Sequence, residues 1–150
     1  MERPEIIEGG RHTDSRGAIT FVNEFDMSEI RRFYIIENVN IEIKRGWRAH
    51  RTEQRWFNVL TGAFRIQLIK IDNWEMPNKN LLFEEFILFS KDAKVLHVPK
   101  GYASCIQAMQ KDSKLIVFAD YGIDHAINDN YLYPEDYFVL QDMDTIKNTH

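Results

Sequence analysis

The stretch Arg45–Phe57, RGWRAHRTEQRWF, sets a glycine, four arginines, a histidine and a carboxamide directly ahead of an apolar run that stops at Thr61-Gly62. In an extended segment side chains alternate, which puts Arg48, His50, Thr52 and Gln54 on one face. That face carries a permanent cation, a base that titrates near neutral pH, and an amide that both donates and accepts hydrogen bonds. The run Gln54–Leu60 is aromatic and β-branched and is closed by a turn, which predicts a strand.

The same pattern repeats on both sides. Ala18–Phe25 follows the turn Asp14-Ser-Arg-Gly17, and Arg32–Val39 is aromatic and β-branched. Phe64–Ile71, FRIQLIKI, alternates and then shifts phase at Leu68-Ile69, which predicts a bulge. Asp72–Asn80 is a polar, proline-containing loop, and Glu85–Phe89, Val95–Val98, Cys105–Met109 and Lys114–Tyr121 complete the set. Strands recurring at roughly ten-residue intervals favour a sandwich or barrel over an alternating α/β fold. Helical signals are weak: one turn at Met27–Ile30 and a short helix from Pro134, since proline suits a first helical position. The expectation is a single all-β domain over residues 1–150, a partly closed barrel with its core at about residues 12–138 and a tail at 139–150.

Composition narrows the function. Hydrophobic residues at 44% and charged residues at 28% fit one packed core. A net charge of −4 leaves no basic footprint for nucleic acid, so the cluster Arg45, Arg48, Arg51 and Arg55 points to a small anionic ligand. The single cysteine, Cys105, excludes an internal disulfide and fits a reducing cytoplasm; it sits in an apolar run, where a free thiol acts as a small hydrophobe. The beginning of the chain, MERPEIIEGG, has no apolar signal core, and no run is long enough to cross a membrane as a helix.

Two stretches resemble the paired motifs of the cupin fold. In the first, the H-x-H pair falls on Arg48 and His50, the carboxylate on Gln54 or Arg55, and the closing glycine on Gly62. In the second, P-x-G-x-x-H reads Pro99-Lys-Gly101-Tyr-Ala-Ser104, with serine in the histidine's place. TDSRGAITFVNEF resembles the D-x-R-G segment of sugar-nucleotide enzymes, and RGWRAHRTEQ their R-G-x-H segment. YLYPEDYF, residues 131–138, is similar to their tyrosine-rich ending. These enzymes are the dTDP-4-keto-6-deoxyglucose 3,4-ketoisomerases and, more distantly, the dTDP-4-dehydrorhamnose 3,5-epimerases. The resemblance implies an all-β, single-domain cupin: a double-stranded β-helix, or jelly-roll barrel, with little helix. It also implies a cytoplasmic homodimer that takes a nucleotide sugar and works without cofactor.

A cupin metal site needs imidazoles and a carboxylate around one ion, and here only His50 remains of them. The resemblance implies proton transfer beside a keto group, through an enolate. Its base falls at Arg48, which stays protonated and cannot serve. His50 then becomes the expected base, with Arg48 holding the enolate oxygen or a phosphate. Tyr34 and Tyr102 are the expected general acids. Arg16, Arg45, Trp47, Gln54, Ser104 and Tyr131 are the expected substrate-binding residues, with guanidinium forks suited to a pyrophosphate. The alternative is a non-catalytic cupin that binds a sugar nucleotide or another anionic sugar.

Overall fold

Residues with outward and inward partners of opposite character decide how the strands stack. A computed structural model describes residues 2–140; the rest of the expected tail, including His150, lies outside the described residues. In chain order the strands are β1 (Glu5–Glu8), β2 (Gly10–Asp14), β3 (Gly17–Phe21), β4 (Arg32–Glu37), β5 (Lys44–His50) and β6 (Arg55–Thr61). They continue with β7 (Ala63–Lys70), β8 (Glu84–Phe89), β9 (Lys94–Val98), β10 (Tyr102–Ala108), β11 (Lys114–Ala119) and β12 (Tyr131–Leu132). One sheet has the order β1-β9-β6-β11-β4, the other β12-β5-β10-β7-β8, and β2-β3 form a separate hairpin. All pairings are antiparallel.

The two sheets face each other across one apolar core. Phe57 and Val59 of β6 meet Phe64, Ile66 and Leu68 of β7, Leu88 of β8, Leu96 of β9 and Leu115 and Val117 of β11. These residues sit at alternate positions, as a pleated strand with one buried face requires. A second cluster covers the outer face of the second sheet. There Trp47, Ala49, Ile69, Ala103 and Cys105 lie beneath Phe83 and Phe138, flanked by Trp74, Leu81, Tyr133 and Tyr137. The cover is pinned by polar contacts: Tyr133 Oη donates to the Trp74 carbonyl (3.0 Å), Tyr137 Oη to that of Pro77 (2.7 Å) and Trp47 Nε1 to that of Glu135 (3.1 Å).

This second cluster explains why the bulge expected at Leu68-Ile69 is absent. β7 pairs with β10 in unbroken register from Phe64↔Ala108 to Lys70↔Tyr102. Leu68 points into the central core and Ile69 into the outer cluster, so both are apolar in a regular strand. The register shifts fall instead between Ser104 and Ile106 of β10 and between Lys114 and Leu115 of β11.

Three further differences follow from tertiary contacts. The packed chain begins before residue 12, because β1 pairs with β9 and Ile6 packs on the core. Among the described residues, the segment 134–140 holds a turn, closed by Tyr137 N–H donating to the Pro134 carbonyl (3.0 Å), and not a helix. Among the described residues the α-helical segment is Ile123–Ala126, followed by a 3₁₀ turn at Ile127–Asp129, and a further 3₁₀ turn lies at Ser90–Asp92. The turn at Met27–Ile30 does form, with Ile30 N–H donating to the Met27 carbonyl (3.1 Å).

Candidate active site

The strand β5 carries the site because its two faces have separate jobs. Trp47 and Ala49 point to the outer cluster, so Arg48 and His50 point inward. Gly46 lets this strand lie close to its neighbour: a Cβ there would sit 2.6 Å from Cys105 Sγ and 2.9 Å from Cys105 Cα. Arg48 is paired across the ladder with Ser104 of β10, and His50 with Tyr102.

A cavity of about 660 Å³ opens between β4, β5, β6 and β10. Tyr34, Glu37, Lys44, Arg45, Arg48, Arg55 and Ser104 supply its polar wall, and Ile36, Ile106 and Leu132 much of its apolar wall. The cations occupy two depths. Lys44, Arg45 and Arg48 are exposed, whereas Arg55 is only 3% exposed. Arg45 is braced by Asn38 Oδ1 (2.8 Å from Nε) and the Glu37 carbonyl (3.3 Å from Nη2). Arg55 donates from Nη1 to Ser104 Oγ (3.1 Å), and its Cζ stands 5.3 Å from the Phe57 ring centroid. Burial pushes the Arg55 guanidinium below its usual range.

His50 occupies the next inward position of β5 after Arg48, outside the cavity lining. Its Nδ1 lies 2.8 Å from the Asp129 carbonyl oxygen, which can only accept, so Nδ1 carries the hydrogen and Nε2 the lone pair. Nε2 is buried and has no hydrogen-bond partner. Burial first, then the charge of Arg55, lower the His50 pKa to about 3, so the ring is neutral at pH 7.

Asp129 also organises the turn that follows. Its carboxylate accepts the backbone N–H groups of Arg51 (2.7 Å), Thr52 (3.1 Å) and Glu53 (2.8 Å). Those contacts end the extended backbone at His50, and the alternation expected to run on to Gln54 stops there. Gln54 therefore does not reach the cavity. It lies in a relay in which His97 Nε2 is 2.7 Å from its Oε1 and its Nε2 donates to Asp120 Oδ2 (3.2 Å). Glu53 turns inward, is 1% exposed and pairs with Arg32 Nη2 at 3.2 Å. Burial raises its pKa from the usual carboxylate range.

The other expected site residues divide clearly. Tyr34, Arg45, Arg48 and Ser104 come together in the cavity. Trp47 borders it, but its indole is 2% exposed and packs in the outer cluster. Tyr102 lies in the central core at 4% exposure with Lys70 Nζ 5.2 Å from its ring centroid. Tyr131 packs outside the barrel against Trp74, 4.8 Å between centroids. Arg16 stands on the β2–β3 hairpin, 85% exposed and paired with Asp14 at 2.7 Å. Burial lifts the Cys105 thiol to about 11, the property of a packing residue and not of a nucleophile. Arg32, Glu53 and Asp129 were not among the expected residues; the signal for Arg55 was its alternation with Phe57 and Val59.

Chemically, this cavity suits anions. Its wall sets four cationic residues, Lys44, Arg45, Arg48 and Arg55, against one acidic residue, Glu37, and a divalent cation placed among them would meet a net like charge. Among the described residues, no three His, Cys, Asp or Glu side chains come together as a metal-holding group. No described helix is long and apolar enough to cross a membrane.

Comparison with solved structures places the fold among sugar-nucleotide enzymes. The chain is similar to the rmlC epimerase of Mycobacterium tuberculosis, at 13% identity and a TM-score of 0.72 over 94% of this chain and 80% of that one. It is similar to the WlaRB TDP-quinovose 3,4-ketoisomerase of Campylobacter jejuni, at 19% identity and a TM-score of 0.68, covering 91% and 98% of the two chains. For the QdtA 3,4-ketoisomerase of Thermoanaerobacterium thermosaccharolyticum, a variant bound to TDP, the values are 21%, 0.64, 92% and 93%. No curated protein matches by sequence. The family described as FdtA, WxcM-like, C-terminal, matches residues 2–141, and the chain belongs to that family.

Proposed function

We propose that the protein is a metal-independent isomerase or epimerase of a dTDP-linked 4-keto-6-deoxyhexose, moving a proton beside the keto group through an enolate. The observation that carries this reading is the cationic cavity in the sugar-nucleotide isomerase fold, next to a histidine with an unshared Nε2 lone pair. Arg48, Arg45 and Lys44 at the mouth suit the pyrophosphate. His50, neutral and fixed in its Nδ1–H tautomer, is the base, and an anionic ligand beside it raises its proton affinity toward the working range. Tyr34 in the cavity wall is the general acid.

The same reading includes a cytoplasmic homodimer. The β2–β3 hairpin carries Ile19 and Phe21, 61% and 39% exposed, and the outer face of β4 carries Phe33 and Ile35, 61% and 47% exposed. Apolar exposure on a hairpin and a sheet-edge strand favours a second copy as cover. In such a homodimer we assign Arg16, on that hairpin, to the partner's nucleotide sugar.

One observation favours a second reading, a binding module without turnover: His50 lies outside the cavity lining, and Arg48 holds the inward position nearest the ligand. Calorimetric titration with dTDP, together with proton NMR of dTDP-4-keto-6-deoxyglucose incubated with the protein, separates the two. Binding with a new keto-sugar spectrum supports the isomerase. Binding with an unchanged sugar supports the module. Absence of binding defeats both.

A further inference from the structure

The unshared Nε2 lone pair of His50 lies one layer below the cavity. Cross-strand pairing sets Arg48 beside Ser104 and, at the next inward position, His50 beside Tyr102. Arg48 and Ser104 line the cavity, whereas His50 and Tyr102 do not and are only 5% and 4% exposed. At the Ser104 layer a bridge runs from one sheet to the other: Arg55 Nη1 of β6 donates to Ser104 Oγ of β10 at 3.1 Å. Arg55 is itself buried, with the Phe57 ring 5.3 Å from its Cζ. After burial, the charge of Arg55 is the strongest influence on the His50 ring, which puts the bridge beside it. Among the described residues no ion pair holds Arg55, and the nearby Glu53 is engaged by Arg32 at 3.2 Å. One hydrogen bond to a neutral hydroxyl is a modest anchor, and an uncompensated guanidinium is drawn to negative charge in a low-dielectric site.

We propose that Ser104 is a positioning residue that controls access to His50. Through its hydrogen bond to Arg55 it closes the floor of the cavity over the histidine, and the floor parts when an anionic ligand enters. This rests on the reading of His50 as the base, and it moves Ser104 from substrate contact to control of access. Without ligand the closed floor dominates. Only molecules with an open floor let Nε2 meet a reagent or a substrate, so the rate of either encounter scales with the open fraction. Removing the hydroxyl takes away one side-chain hydrogen bond of the closed state alone, which raises the open fraction by about fivefold.

The test reads the open fraction twice. Diethyl pyrocarbonate modifies an unprotonated imidazole nitrogen, and mass spectrometry of the full chain gives the rate at each histidine without ligand or turnover. In the unsubstituted protein His50 should react far more slowly than His12, whose side chain is 67% exposed. Ser104→Ala should speed modification of His50 by about fivefold, leave His97 within about twofold, and raise kcat/KM for dTDP-4-keto-6-deoxyglucose by a similar factor. Ser104→Thr, which keeps the hydroxyl, should bring both rates back to within about twofold of the unsubstituted protein. His50 reacting as fast as His12 in the unsubstituted protein overturns the assignment, whatever the variants do. So does an unchanged His50 rate in Ser104→Ala, or an equal rise at His50 and His97, which marks general loosening. A fall in kcat/KM overturns it too, as the sign of a lost substrate contact. A protein that binds dTDP yet turns nothing over sinks the isomerase reading, and the modification rates still decide whether Ser104 and Arg55 close the cavity over His50.

Discussion

The Nδ1 atom of His50 lies 2.8 Å from the carbonyl oxygen of Asp129, and the same Asp129 holds the backbone N–H groups of Arg51, Thr52 and Glu53 through its carboxylate. One residue thus fixes both the tautomer of the histidine and the turn that leaves it. Replacing Asp129 by alanine removes the acceptors of three backbone donors at a buried position. The expected cost is about 3 kcal/mol, at roughly 1 kcal/mol for each bond lost. Asp129→Asn, which keeps one carbonyl oxygen, should lose about half of that. Urea midpoints give the two values, and hydrogen exchange should quicken first at the amides of residues 51–53.

The pH dependence of stability follows from His50. Its folded pKa is pushed from the usual 6.5 down to about 3. Below pH 6.5 the unfolded chain takes up a proton that the folded chain does not. This residue therefore costs about 1.4 kcal/mol per pH unit as pH falls from about 6.5 toward about 3. Glu53 acts in the opposite sense, since its folded pKa is raised above 4.5 and its contribution grows as pH falls through the folded value. The difference between the unsubstituted protein and His50→Gln isolates the histidine. Urea unfolding at pH 7, 6 and 5 should show the steeper loss in the unsubstituted protein. Parallel slopes would mean that His50 titrates normally in the fold.

Trp47 is predicted to matter for stability more than for ligand. Its indole is 2% exposed, meets Phe138 edge-on at 5.3 Å and donates to the Glu135 carbonyl. Trp47→Ala should cost about 3–5 kcal/mol. Trp47→Phe should lose less and bind dTDP within about twofold of the unsubstituted protein. A tenfold loss of affinity in a well-folded Trp47→Phe would instead mark the indole as part of the site.

The exposed apolar faces of the hairpin and of β4 predict self-association. Light scattering after gel filtration should give twice the 17.8 kDa chain mass. Ile19→Asp combined with Phe33→Asp should give the single-chain mass, because a charge in an apolar contact is left without a partner. A monomer before substitution would refute the homodimer.

Much of the fold was readable because strands and turns are local. The alternation of Phe57 with Val59 and of Phe64, Ile66 and Leu68 already names the central core. What local pattern missed depends on distant segments. Ile69 reads as a phase error until Phe83 and Phe138 cover it from residues far along the chain. Gln54 shares a face with Arg48 only in a strand that continues, and Asp129, some seventy-five residues on, ends that strand. The site was legible to the same degree. Tyr34, Arg45, Arg48 and Ser104 meet in the cavity, and the weight of Arg55 became visible only with its burial and its lack of a carboxylate partner.

The most direct measurement is deuterium incorporation, by proton NMR, into dTDP-4-keto-6-deoxyglucose in heavy water with the unsubstituted protein and with His50→Gln. The account predicts exchange at C3 or C5 with the unsubstituted protein and a loss of about 100-fold or more in His50→Gln, since a positioned base contributes on that order. Exchange that persists in folded His50→Gln, or no exchange from a protein that binds dTDP, would contradict it.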